Sequence, residues 1–312
     1  MTERTPTKQP LVALTGATGF IGQYLLRELP KRGYRLRVLL RRPSLVPLPC
    51  ACALIGDLAQ AYNRAEALAG VDAVIHTAGV AETMSGRPED DYRLLNTEAT
   101  IGLARAAQRA GVRRFVFLSS IRAQAGPVAE GILNEDLAPK PTDAYGRSKL
   151  AAEQGLAQTE LDWVALRLVL VYGPGVQGNM ARLVQLARSP YPLPLAGLKG
   201  RRSLLALDNL VAAIDCVLAA PGPLRRPFIV ADPAPLSVPD MIAAMRRGLG
   251  RGPGLFYVPT PLLAAALRAR GQAGLSYLLT GSLMADSSAL TRLSWTPPVA
   301  TQEGLAQLMR DA

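Results

Sequence analysis

With 312 residues, 49% of them apolar and 19% charged, the chain is long enough to bury a large core, as one big domain or as a domain with a smaller lobe. No apolar run reaches the ~18 residues that span a bilayer. The polar opening MTERTPTKQP gives no expectation of a signal peptide, and three cysteines with one histidine exclude a disulfide framework and leave no metal site to expect, so a reducing cytoplasm is the expected location. The formal charge of +11 is scattered, without an aromatic-interleaved basic tract, which excludes nucleic acid as partner and suits anionic small molecules or an anionic membrane surface.

The first element is Leu11–Gly22, LVALTGATGFIG. The apolar run from Leu11 to Leu14 meets glycines at 16, 19 and 22, and Gln23–Leu29 has helical texture. This is the pattern of a buried parallel strand, a glycine turn and a helix N-terminus. Gly16 allows the tight turn, Gly19 lets backbone amides approach a pyrophosphate, and Gly22 lets the helix lie close on the strand. The spacing is G-x-x-G-x-x-G and not G-x-G-x-x-G, so the triplet alone also fits a plain strand–turn–helix.

A second strand is expected over Tyr34–Leu40, ending in Arg41-Arg42-Pro43. In a dinucleotide fold the residue ending this strand, about 20 positions after the glycines, faces the adenosine ribose. An acid there would accept from the ribose hydroxyls of NAD, whereas an arginine can pair with a 2′-phosphate. Arg41 and Arg42 therefore favour NADP (NADPH), with NAD still allowed and two solvated loop charges as the plainer reading. Ala53–Leu58 reads as a third strand delivering Asp57, either as a helix cap or as an acceptor for the adenine amino group. Val71–Gly79 is a fourth strand running into small residues, with His76 at its apolar end as a structural histidine.

Asp91–Gly111 has helical spacing and contains Asn96, and Arg114–Ser120 is a fifth strand ending in two hydroxyls. The carboxyl end of a strand is where open α/β sheets place ligands. After a proline-broken loop, Tyr145-Gly-Arg-Ser-Lys149 puts a phenol and an ammonium one helical turn apart on one face. Such a neighbour favours the phenolate and suits acid/base work, although an ordinary exposed helix pair has the same spacing. Trp163–Val171 is a sixth strand, and beyond Pro174 come proline-rich loops and short helices. Pro259–Arg270 is an apolar helix with two arginines, read as core packing, with a peripheral membrane contact as the alternative.

Taken together, TGATGFIG, Asp57, HTAG, Asn96, the serine pair and YxxxK have the order and spacing of the extended short-chain dehydrogenase/reductase family, which the chain resembles along essentially its whole length. Leu166–Pro174 (LRLVLVYGP), Arg201–Asp208 (RRSLLALD) and Ser294-Trp-Thr-Pro297 are similar to its NAD(P)-dependent epimerase/dehydratase branch, which works mostly on nucleotide sugars. The resemblance implies an α/β fold with a doubly wound parallel (Rossmann) sheet over residues 1–172. It also implies a smaller C-terminal substrate lobe over 173–312, with segments near 203–207 and 228–232 returning to the sheet region.

By the same resemblance Tyr145 is the acid/base, Lys149 holds the nicotinamide ribose and lowers the tyrosine pKa, and Ser120 hydrogen-bonds the reacting oxygen. Cofactor contacts are implied for Gly16, Thr18, Gly19, Phe20, Ile21 and Gly22, for Arg41, Arg42, Asp57 and Leu58, and for Thr77, Ala78, Gly79, Asn96 and Leu118, besides Tyr145 and Lys149. Asn179 and Arg202, with Arg201 as the alternative register, stand where the family contacts the nucleotide; a helix cap and surface charges are their plainer readings. Leu170 departs from the pattern, since many nucleotide-sugar members have asparagine there.

The activity expected is 4-keto reduction or 4-epimerisation of a nucleotide sugar, with reduction slightly ahead because of the arginine ending the second strand. A dehydratase ranks third, because Ile121 and Arg122 follow Ser120 where elimination usually needs an acid. Two rivals remain: an enzyme on a polyprenyl-diphosphate-linked sugar at a membrane surface, and a non-catalytic NADPH-binding subunit. A homodimer is compatible with all three.

Overall fold

The computed structural model describes residues 9–43, 50–56, 65–80, 88–269, 279 and 281–311; Asp57 and Leu58 lie outside the described residues. Its strands are β1 (Leu11–Thr15), β2 (Arg35–Leu40), β3 (Ala51–Leu54), β4 (Ala73–His76), β5 (Arg114–Ser120), β6 (Ile132–Leu133), β7 (Asp162–Leu168), β8 (Leu170–Tyr172), β9 (Arg201–Arg202), β10 (Leu204–Ala206), β11 (Arg226–Val230), β12 (Leu236–Ser237) and β13 (Met284–Ala285). The helices are α1 (Phe20–Glu28), α2 (Ala65–Leu68), α3 (Glu89–Tyr92), α4 (Ala99–Arg109), α5 (Ala144–Ala157), α6 (Gly178–Arg188), α7 (Leu207–Ala219), α8 (Val238–Gly248), α9 (Thr260–Ala269), α10 (Ser288–Thr291) and α11 (Thr301–Arg310). A seven-stranded parallel sheet runs in the order β11-β7-β5-β4-β1-β2-β3. Every residue of β1, β4 and β5 is buried, as in strands covered on both faces. The chain leaves β1 toward β2 on one side and reaches β4 on the other. That reversal makes a crevice at the carboxyl end of β1, where doubly wound sheets bind ligands.

Two compact units divide the chain. One comprises Met1–Ser119, Arg147–Leu166 and Ile214–Pro227. Its core joins Val74, Phe115 and Phe117 of the sheet to Leu103 and Ala107 of α4 and to Ala152 and Leu156 of α5. The two helices approach closely because Gly155 has no side chain: a Cβ there would lie 2.2 Å from Ile101 Cδ1. Buried Arg114 donates to the carbonyls of Ala220 (2.8 Å) and Gly222 (2.5 Å) just past α7, and pairs with Asp162. A cation at a helix C-terminus meets the negative end of its dipole.

The other unit comprises Ser120–Gly146, Arg167–Ala213 and Phe228–Ala312. Its core gathers Tyr172, Met180, Ile242, Met245 and Leu305. Helix α8 opens with a capping box between Ser237 and Asp240, and α11 lies so close on it that a Cβ at Gly248 would stand 2.1 Å from the Ala306 carbonyl. Asp232 is buried and accepts from Asn209 Nδ2 (2.7 Å) and Ala206 N (3.1 Å), with Tyr172 Oη at 3.1 Å. Burial pushes its carboxyl up to about 6.

Several elements differ from the sequence reading. The second strand starts at Arg35 and not Tyr34, and the third ends at Leu54. The expected helix over Asp91–Gly111 is composite: α3, then a wide π turn over Arg93–Glu98, then α4. The expected strand Trp163–Val171 is two strands, β7 and β8, interrupted at Val169, whose amide reaches the Val230 carbonyl at 3.5 Å. The segment near 203–207 forms β10, which pairs in parallel with β8 and not with the large sheet, while that near 228–232 supplies the end of β11. Among the described residues no helix is long and apolar enough to cross a membrane.

Candidate active site

At the carboxyl end of β1 the glycine turn closes one wall of a cavity of about 330 Å³ lined by residues 15–19, 39–41, 55, 77–80 and 95. Gly16 has φ +70°, and a Cβ on it would lie 2.3 Å from Thr77 Oγ1 and 2.6 Å from Ala78 N, so only glycine fits between β1 and the end of β4. A Cβ at Gly22 would stand 2.1 Å from the Gly16 carbonyl, which holds α1 tightly under the turn. Gly19 caps α1 with no side-chain hydrogen bond, so the first amides of that helix have no side-chain cap. Of the residues expected to hold a cofactor, Gly16, Thr18, Gly19, Arg41, Thr77, Ala78 and Gly79 line the cavity. Phe20, Ile21 and Gly22 form the first turn of α1 behind it, and Arg42 is exposed next to Arg41. Thr15, Ala17, Leu39, Leu40, Ile55, Val80 and Leu95 also line it and are not among the residues expected there.

Asn96 sits in the wide turn, fully buried. Its Oδ1 accepts from Val80 N (2.8 Å), and its Nδ2 donates to the Val80 carbonyl and to Ser148 Oγ (3.1 Å each). It thereby ties the cavity's 77–80 wall to α5. One residue along α5, Lys149 is buried, donates to the Leu118 carbonyl at 2.9 Å and stands 4.5 Å over the Phe117 ring. A Cβ at Gly79 would be 3.6 Å from its ammonium, so the lysine reaches the edge of the cavity.

Burial pulls Lys149 from its ordinary 10.5 down to about 8, and the charge of Glu153 opposes the shift. The folded state thus binds this proton more weakly than the unfolded chain, so Lys149 makes folding more favourable as pH rises from about 8 to 10.5. At about 1.4 kcal/mol per pH unit the increment is on the order of 3 kcal/mol. In urea titrations the stability of the wild type minus that of Lys149→Met should rise by that order between pH 8 and 10.5. A constant difference would contradict a buried ammonium.

Of the two serines ending β5, Ser119 is committed to Glu153, both side chains being buried. Ser120 caps the short turn Ile121–Ala123: its Oγ accepts from Arg122 N at 3.2 Å, which leaves its proton available. The Arg122 side chain pairs with Asp143, and Asp143 Oδ1 accepts from Gly146 N at 2.7 Å at the start of α5. Gly146 is pressed on the Arg122 carbonyl, 2.3 Å from where its Cβ would be. Half-buried Tyr145 is thus held on the first turn of α5, one turn before Lys149. Arg202 is buried with Nη1 donating to the Pro127 carbonyl (3.1 Å); burial and then the charge of Arg122 push its pKa down. Arg201 is exposed. Asn179 is half-buried inside α6, whose cap position belongs to Gln177, so Asn179 is not the helix cap. Leu170, in β8, pairs in register with Leu204.

A doubly wound sheet with a glycine turn at its first strand and a YxxxK helix defines the extended short-chain dehydrogenase/reductase class. The chain belongs to the NAD dependent epimerase/dehydratase family, whose model matches residues 12–230. It is 31% identical over 310 residues to a UDP-glucose 4-epimerase of Vibrio cholerae, covering 95% of this chain and 93% of that protein. A 3 beta-hydroxysteroid dehydrogenase/Delta 5-->4-isomerase of Mycobacterium tuberculosis (strain CDC 1551 / Oshkosh) is 35% identical over 210 residues, 64% of this chain and 56% of that protein. Among solved structures, MoeE5 in complex with UDP-glucuronic acid and NAD matches with a TM-score of 0.74 and 28% identity, over 96% of this chain and 97% of that one.

Proposed function

We propose that the chain is an NAD(P)-dependent enzyme acting by hydride transfer at C4 of a nucleotide-activated sugar, with Tyr145 as acid/base. The observation that carries this is the buried Lys149, one turn from Tyr145 on α5 and at the Gly79 edge of the glycine-turn cavity. A bound nicotinamide supplies or takes the hydride. Tyr145 moves the proton on the substrate oxygen, and Lys149, charged below pH about 8, favours the phenolate electrostatically. Ser120 donates its remaining proton to the same oxygen. Arg202, buried and donating to the Pro127 carbonyl, is a nucleotide contact in this reading, with Asn179 and Arg201 as further ones. Leu170 supplies no polar contact, so the sugar is read by other groups.

Reduction of a 4-keto sugar by NADPH is the first reading, because Arg41 lines the cavity where NAD-binding members of this fold class carry an acid. Epimerisation at C4 is the second, favoured by the likeness to the Vibrio cholerae 4-epimerase over nearly the whole chain. Elimination is disfavoured: Ile121 and Arg122 follow Ser120, and the nearby acid Asp143 is engaged by Arg122. If Arg41 and Arg42 clamp a 2′-phosphate, NADPH binds more tightly than NADH. Arg41→Ala then loses most of that preference, at about 1.5–3 kcal/mol for charge-assisted bonds. Calorimetric titration with both nucleotides checks this, and equal wild-type affinities would sink the NADPH assignment.

A further inference from the structure

The single histidine of the chain, His76, closes β4 with no exposed surface, 5.8 Å from the Phe117 ring and 6.0 Å from that of Phe115. An apolar side chain would fill such a strand position, yet both ring nitrogens are engaged. Nδ1 lies 2.7 Å from Thr15 Oγ1 and Nε2 lies 2.9 Å from Thr100 Oγ1. The hydroxyl of Thr100 donates to the Asn96 carbonyl at 2.6 Å, so its oxygen is left to accept from His76 Nε2–H. Nδ1 is then bare and accepts the proton of Thr15, whose oxygen accepts in turn from Ala78 N at 3.3 Å. A ring protonated at both nitrogens would leave the Thr15 proton without this acceptor.

The directions of the chain are thereby fixed: Ala78 N–H to Thr15, Thr15 to His76, His76 to Thr100, Thr100 to Asn96. One end is the cavity wall, since Thr15 and Ala78 both line it. The other end is Asn96, which holds Val80 and Ser148, the residue before Lys149. Phe117 makes a second link, because the His76 ring and the Lys149 ammonium both lie against it. We propose that His76 is a positioning residue: held as the Nε2–H tautomer, it couples occupancy of the glycine-turn cavity to the turn of α5 that carries Lys149. The coupling rests on the reading of that cavity as a dinucleotide site.

The chain's one histidine makes the test direct, since imidazole ¹⁵N labelling of the full-length protein gives one pair of nitrogen resonances that need no assignment. The coupling pattern should show Nε2 protonated and Nδ1 bare, and both resonances should move when NADPH or NADH is added to saturation. Thr100→Val, which alters no cavity residue, should weaken nucleotide affinity about fivefold, the scale of one hydrogen bond, and Thr100→Ser should restore it. A ring protonated at Nδ1 or at both nitrogens overturns the chain of bonds. Nucleotide binding that leaves the imidazole resonances and the Thr100→Val affinity unchanged overturns the coupling alone. Absence of any binding of either nucleotide overturns the dinucleotide reading itself.

Discussion

Tyr145→Phe should lower turnover by about 10²–10⁴-fold, the usual worth of general acid–base catalysis, while nucleotide affinity and thermal stability stay close to wild type. The phenol oxygen is the one group removed. Tyr145 is half-buried on the first turn of α5, and that turn is anchored by Asp143 and by the contact of Gly146 with the Arg122 carbonyl, neither of which needs the hydroxyl. Near-normal activity in this variant would assign the chemistry to another residue. Parallel loss of stability would mean that the hydroxyl is structural.

Gly16→Ala should abolish nucleotide binding and destabilise the fold. The backbone at φ +70° costs an alanine about 1–2 kcal/mol. The added methyl would also stand 2.6 Å from the Ala78 amide, where backbone and not a flexible side chain must yield. The expected total is about 3 kcal/mol of stability, with nucleotide affinity reduced beyond the range of calorimetric titration. An alanine variant that binds NADPH normally would show that the turn is not the phosphate-facing wall.

The turn itself was legible because its signals are local. Apolar run, glycines and helix follow one another within Leu11–Leu29, and β5 has the same limits, Arg114–Ser120, that its apolar run and paired hydroxyls suggest. What stayed hidden depends on distant partners. The bond from Thr15 to His76 joins residues 61 positions apart, and Asn96 meets Ser148 across 52, so neither is visible as spacing. The wide turn at Arg93–Glu98 interrupts a segment whose apolar periodicity reads as one helix. The break at Val169 falls where β7 of the large sheet gives way to β8, which pairs with β10 further along the chain. The burial of Arg202 beside exposed Arg201 follows from β9 pairing with β12, and two adjacent arginines in sequence give no hint of which one is inside.

The most direct measurement mixes the purified protein with NADPH and a 4-keto nucleotide sugar and follows the nicotinamide absorbance alongside the sugar product. Stoichiometric oxidation of NADPH with formation of the 4-hydroxy sugar is expected, and its loss in Tyr145→Phe. Unchanged NADPH in that mixture, with interconversion of C4 epimers when NAD and the 4-hydroxy nucleotide sugar are supplied instead, would replace the reductase by the epimerase. Unchanged absorbance and unchanged sugar in both mixtures at saturating concentrations, with nucleotide bound, would contradict hydride transfer at C4 altogether.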